Sequence, residues 1–201
     1  MGKIYAERLA EAGYNLLLVS NQEQELRQVA DDLHQRFNVD VISHFQDLAA
    51  EDAADELFAF CQEQSLEIDI LINNAGMIFF EELTPENEAK AMTMKRLHID
   101  TPTRLCLLFG NEMKRHGSGY ILNMSSMAAE LPCPGIAMYS ATKAFLKSFS
   151  KSLYYEMKPF GVVVTTVCPA AIATPLYKLK PSLMKLGVRM GLIGTDRKSV
   201  V

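Results

Sequence analysis

Tryptophan is absent, and the 4 cysteines and 4 histidines are scattered, which removes several function classes at once. Cys61, Cys106, Cys133 and Cys168 form no CxxC pair and no ligand spacing, so neither a disulfide scaffold nor a metal site is expected. They read as reduced, mostly buried thiols of a cytoplasmic protein. No apolar run approaches the roughly 20 residues that span a bilayer, so no transmembrane segment is expected, and no signal peptide either. Met1-Gly2 is followed by Ala6 where myristoylation wants Ser or Thr. Excess positive charge is lacking too. The net charge is −4 and the pI about 5.6, so no nucleic-acid partner is expected.

What is present is an ordinary globular composition, 49% apolar and 22% charged over 201 residues, enough for one domain with a substantial core. Residues 3–12 have helical apolar spacing, with Gly13 suited to the left-handed position past a helix end. Residues 15–20 form a short, continuously apolar strand of the kind covered on both faces. Helices follow at 22–36, 50–64, 86–96, 99–115 and 138–158, and strands at 39–43, 69–73, 119–125 and 161–167. Strand and helix alternate, which predicts a doubly wound α/β fold, a parallel sheet between helical layers.

The stretch carrying chemistry is Tyr139-Ser-Ala-Thr-Lys143, with Ser126 thirteen residues before the tyrosine. On a helix, Tyr139 and Lys143 are one turn apart and share a face. A free phenol, with a pKa of about 10, holds its proton too tightly for acid–base work at neutral pH. A neighbouring ammonium is expected to lower that value. A serine hydroxyl beside them can hydrogen-bond a carbonyl or alcohol oxygen. The trio reads as proton chemistry on a carbonyl/alcohol pair.

Ser126, Tyr139 and Lys143 at these spacings, with Asn73-Asn74-Ala75-Gly76 after the apolar DILI, resemble the short-chain dehydrogenase/reductase family. The segment 139–169 is most similar to the branch of 17-beta-hydroxysteroid dehydrogenases and very-long-chain 3-oxoacyl reductases. The resemblance implies a Rossmann-like α/β/α domain and an NAD(P)(H)-dependent oxidoreductase acting on a ketone or secondary alcohol, with a bulky apolar substrate. It makes Tyr139 the general acid/base, Lys143 its pKa modulator and ribose contact, and Ser126 the group that polarises the substrate carbonyl. Asn74, Ala75 and Gly76 would line the cofactor ribose, and Asp47 and Leu48 the adenine edge. Pro169–Thr174 matches the PGxxxT segment, where Ile172 and Thr174 would meet the carboxamide. Asp47 is also readable as a helix N-cap, and Thr174-Pro175 as a plain turn. A homodimer or tetramer is implied, its interface on helices 99–115 and 138–158.

Departures from the family pattern shape the remaining expectations. His98 stands where the family has a proton-relay asparagine. With a pKa near 6.5 it suits relay work, or else it is a core histidine bonded to a backbone carbonyl. Ala170 replaces a glycine. Ser20-Asn21 at the end of the second family strand offers no carboxylate for ribose hydroxyls, which favours NADP(H) over NAD(H). Gly2 matches the last glycine of the phosphate-binding turn, so the first family strand and most of that turn are expected to be missing. In the family order 3-2-1-4-5-6-7 this leaves a gap about 10 Å wide in mid-sheet, strands lying about 4.8 Å apart. The domain is therefore expected over 1–195, truncated at both ends. Residues 196–201, DRKSVV, resemble translated sequencing-adapter read-through and are expected to be non-native. Residues 176–194 read as an amphipathic helix over the pocket, a substrate lid or a membrane-surface segment. A non-catalytic module for binding or oligomer contacts, or an inactive fragment of the reductase, is the alternative, resting on His98 and the missing turn.

Overall fold

In the computed structural model the described residues are 1–131 and 133–170. Ile172, Thr174, the 176–194 segment and residues 196–201 lie outside them. The order is α1 (Gly2–Glu11), β1 (Leu16–Ser20), α2 (Glu23–Phe37), β2 (Val41–Phe45), α3 (Ala53–Glu63), β3 (Ile70–Asn73), α4 (Glu88–Lys95), α5 (Thr101–His116), β4 (Gly119–Met124), α6 (Ala137–Met157) and β5 (Val162–Val167). Every strand pair is parallel, and each has a helical crossover between its strands, as parallel pairing requires.

Helix boundaries follow local chemistry. Helix α2 opens with Glu23 and Glu25 at the positive end of its dipole and closes with His34 and Arg36 at the negative end. Its buried stripe is Leu26, Val29, Ala30 and Leu33, the expected inward set. Strand β2 begins two residues later than expected, because Asn38 takes a left-handed conformation (φ 52°) past the end of α2. The expected break between helices 86–96 and 99–115 is no break. A π turn, Arg96–Asp100, joins α4 to α5 and keeps the axis continuous.

The strands form two sheets, β1–β2 and β3–β4–β5, and among the described residues no ladder joins β1 to β3. Side chains bridge them instead. Leu17 and Val19 of β1 pack against the large cluster of α3, α5 and α6, which contains Leu57, Phe109, Ile121 and Met157. Their neighbours Leu16 and Leu18 face the other way, against Ala6 and Ala10 of α1 and Leu33 of α2. That alternation puts helices on both faces of β1. On β4 and β5 burial alternates along each strand. There Tyr120 and Val163 are exposed, while Ile121 and Val164 are buried.

A buried polar chain fixes β3, β4 and α6 in register. The Asn73 amide donates to Asn123 Oδ1 (2.7 Å), Asn123 Nδ2 donates to Ser150 Oγ (2.9 Å), and Ser150 Oγ donates to the Leu146 carbonyl (2.6 Å). With Asn123 wholly buried, each bond is made against a low-dielectric alternative in which the group would go unpaired. Asn123→Leu leaves the Asn73 amide only the Cys106 sulfur at 3.4 Å and is expected to cost about 2 kcal/mol, read as a lowered urea midpoint at unchanged slope. An unchanged midpoint would mean the chain of bonds carries no net stability.

Candidate active site

The residues singled out in the sequence gather at the carboxyl ends of β3 and β4, beside the N-terminal turns of α6. Strand β4 delivers Ser125 and Ser126. The Ser125 amide continues the ladder to the Val167 carbonyl (2.8 Å), and its hydroxyl donates to the Lys143 carbonyl inside α6 (2.7 Å). Ser126 turns the chain into a short 3-10 turn, Met127–Ala129, its Oγ accepting from the Ala128 amide (3.2 Å). The Met127 amide donates to the carbonyl of Pro169 (3.0 Å), so that proline acts through its backbone in holding the serine turn. Glu130 and Lys147 form an ion pair that ties the same turn to α6.

Tyr139 and Lys143 are both buried, one turn apart as expected. Lys143 Nζ donates to the Met124 carbonyl at the end of β4 (2.8 Å) and sits 5.7 Å from the centre of the Tyr139 ring. Burial pulls the ammonium down to about 8 from its usual 10.5. The expectation that Lys143 lowers the phenol is not met. Burial raises Tyr139 above its usual 10.0, with a hydrogen bond to Ser126 acting weakly the other way. The physical reason is orientation and desolvation: the ammonium bonds a backbone oxygen, and the phenolate would be a second charge in the same dry site. Near neutral pH the resting pair is a protonated phenol beside a mostly protonated amine. Such a phenol holds its proton more tightly than a free one.

His98 is among the most deeply buried polar side chains, 1% exposed, on the π turn. Its Nε2 accepts from the Met77 amide (3.0 Å) and its Nδ1 meets Thr142 Oγ1 (2.9 Å). The backbone partner is an amide rather than the expected carbonyl. Nor does the imidazole keep a pKa near 6.5, since burial, and then the charge of Lys143, push it well below. Its ring stands edge-on to Tyr139, centres 5.8 Å apart.

The expected cofactor contacts divide in two. Gly2 approaches Asn74, and Gly76 approaches His98 and Lys143. A Cβ on Gly2 would lie 2.7 Å from Asn74 Nδ2, and one on Gly76 would lie 3.0 Å from His98 Nε2 and 3.7 Å from Lys143 Nζ. These close approaches keep an open ledge of backbone, Ala75 included, beside the ammonium. Asn21 is exposed at the end of β1, its Oδ1 accepting from Gln22. Asp47 is not a helix cap: α3 starts six residues later, and Asp47 Oδ1 closes a tight turn by accepting from the Ala49 amide (3.0 Å). Leu48 gives its carbonyl to the Thr101 hydroxyl (2.8 Å) and its side chain to the core. The ledge, the ammonium and the phenol fit the ribose and nicotinamide end of a dinucleotide, at the strand carboxyl ends where open α/β sheets bind ligands. Sequence reasoning missed Ser125, Thr142 and the Glu130–Lys147 pair. Thr142 was visible inside the YSATK string, but nothing in sequence marked Glu130, which acts only through a long-range contact.

A family model described as short chain dehydrogenase matches residues 1–182. The chain belongs to the short-chain dehydrogenase/reductase family. It is 36% identical over 193 residues to a very-long-chain 3-oxoacyl-CoA reductase of Mus musculus, covering 92% of this chain and 60% of that protein. This short-chain dehydrogenase/reductase chain thus spans about 60% of the length of the curated relatives it matches. Its fold superposes on a bulky-bulky ketone-specific alcohol dehydrogenase from Comamonas testosteroni with a TM-score of 0.81 and 29% identity, covering 100% of this chain and 83% of that one. A short-chain dehydrogenase from Sphingobium yanoikuyae in complex with NADPH gives a TM-score of 0.81 at 28% identity, over 100% and 84% of the two chains. Among the described residues no helix is long and apolar enough to cross a membrane.

The lowered Lys143 pKa has a signature in stability. Between about 8 and 10.5 the unfolded chain binds this proton more tightly than the folded one, so its contribution to stability rises with pH across that window. Lys143 alone would contribute up to about 3 kcal/mol, but it is opposed from about pH 9 by Cys61 and Cys106, whose thiols burial pushes up to about 11 and about 12, and above pH 10 by the raised phenols of Tyr139 and Tyr5. Urea titrations from pH 8 to 9, below the ordinary thiol pKa, are expected to show the rise, and Lys143→Met to lack it.

Proposed function

We propose that the protein is a nicotinamide-dependent carbonyl reductase/alcohol dehydrogenase, interconverting a bulky apolar ketone and its secondary alcohol. The observation that carries this reading is the convergence of Ser126, Tyr139 and Lys143 at one strand end, with a buried, protonated phenol. The chemistry a bound nicotinamide dinucleotide supplies there is hydride transfer to or from the substrate carbon. In reduction, Ser126 hydrogen-bonds the carbonyl oxygen and Tyr139 Oη gives that oxygen its proton as the carbon accepts hydride. The phenolate that remains lies beside the Lys143 ammonium, and oxidation reverses each transfer. By the family resemblance, Asn74, Ala75, Gly76 and Lys143 would hold the cofactor ribose, Gly2 its pyrophosphate, Asp47 and Leu48 its adenine edge, Asn21 would stand near the ribose 2′-position, and the Pro169–Thr174 stretch, with Ile172 and Thr174, would meet the carboxamide.

Phe79, Leu83, Ile136 and Met138 lie beside Tyr139 around a hollow that also takes in Glu81 and is far too small to hold a bulky substrate. Met127 and Leu131, on the loop that follows β4, are exposed. The names of the relatives, an acyl-CoA reductase and an alcohol dehydrogenase for bulky ketones, point to a bulky apolar substrate. NADP(H) is preferred over NAD(H), because Ser20-Asn21 lacks the carboxylate that would repel a 2′-phosphate. The setting is cytoplasmic, in keeping with four free thiols, and the assembly is a homodimer or tetramer.

Two measurements test this. NADPH fluorescence titration is expected to saturate, with NADH weaker, whereas no binding would favour a non-catalytic module. Tyr139→Phe is expected to lower turnover of a long-chain 3-oxoacyl thioester at least about 100-fold with an unchanged circular dichroism spectrum. Full activity in that variant would remove Tyr139 from the mechanism.

A further inference from the structure

The hydrogens around His98 can be counted without ambiguity. Thr142 Oγ1 donates its single proton to the Tyr139 carbonyl (2.8 Å), so toward His98 it can only accept. Nδ1 therefore carries the imidazole proton. Nε2 is the acceptor of the Met77 amide and keeps no second lone pair for another partner. Both ring nitrogens are committed, one to α6 and one to the loop that follows β3. The ring spans these two elements and lies in a T-shaped contact with Tyr139.

Nothing around the ring invites a second proton. The titratable groups facing it are Tyr139 and Lys143, both on α6. Arg96 of its own turn donates to the Ala49 carbonyl, and Asp100 pairs with Lys95. A proton on Nε2 would point at the Met77 N–H and stand near an ammonium, with the loop forced outward. The π turn adds a second observation: the extra residue it inserts rotates His98 inward from a helix that otherwise continues unbroken from α4 to α5.

We propose that His98 is a positioning residue: a neutral imidazole, protonated on Nδ1, that clamps the Gly76–Met77 loop to the helix bearing Tyr139 and Lys143 and carries no proton of the reaction. This rests on the reductase reading for its catalytic meaning, while the clamp itself stands on the hydrogen bonds alone. It replaces the relay expected from the sequence. Through it the backbone ledge at Gly76 is held at a fixed height over Lys143, so that a ligand lying on the ledge meets the ammonium and the phenol in one geometry.

The test is nitrogen-15 NMR of the histidine-labelled full chain from about pH 5.5 to 9, with His98→Asn assigning the resonance. The expected result is a pyrrole-type Nδ1 and an unprotonated Nε2 that do not titrate. A proton on Nε2, or titration near about 6.5, would overturn the proposal. Amide exchange gives the second arm. Thr142→Val removes the acceptor for Nδ1–H, and Met77 exchange is expected to quicken about tenfold, with Thr142→Ser restoring protection. Met77 exchange unchanged in Thr142→Val would sink the clamp. Neither arm needs NADPH, so a failure to bind cofactor would count against the reductase reading and leave the result on His98 as it is.

Discussion

Lys143 is a cation inside the protein, and the carbonyl of Met124 is its partner. A buried ammonium is tolerated only where such an acceptor is built in, and this one is built from the last residue of β4. The position of α6 along the sheet is therefore tied to the point where β4 stops. Ser125 reinforces the tie in the opposite sense, its hydroxyl donating to the carbonyl of Lys143 itself. Two bonds between the same strand end and the same helical turn make the serine and the tyrosine–lysine pair one rigid unit. Even so the ammonium is held below its ordinary pKa, since one carbonyl does not replace the water it has lost.

Below that unit lies a layered core that would be unremarkable in any α/β domain, crossed by a few polar bonds that make it specific. Apolar packing of α3, α5 and α6 on β3–β5 supplies most of the driving force and little directional information. Direction comes from Asn73, Asn123 and Ser150, which pair only in one register. The polar groups placed under the strand ends thus locate the site, while the hydrophobic clusters hold it together.

The separation into two sheets concentrates the cofactor ledge on a few side-chain bridges. Leu17, Val19 and the Tyr5 hydroxyl, which donates to Met124 Sδ, link β1 and α1 to the remainder. Arg104 pairs with Asp55, and Thr101 and Arg96 bond the carbonyls of Leu48 and Ala49, so the α3 region is fastened to α5. Exposed pairs of this kind contribute little individually. The buried apolar contacts of β1 carry more of the link.

Periodicity alone was enough to read the alternation of strands and helices, because each element buries a stripe or face that recurs at its own period. The Tyr139 and Lys143 spacing likewise put both on one face, since residues one turn apart on a helix are neighbours. Boundaries at β2 and at the α4–α5 junction were not legible. A left-handed residue and a π turn are decided by what the next segment packs against, not by local propensity. The ionisation of the site was also out of reach of the sequence, which suggested a lowered phenol and a histidine near neutrality. Whether Lys143 faces the phenol or the Met124 carbonyl, and whether His98 meets an amide or water, depends on residues far apart in the chain. The sequence by itself determined which residues could do the chemistry. Only the tertiary structure decided their protonation, because desolvation is a property of the packed surroundings and not of the residue.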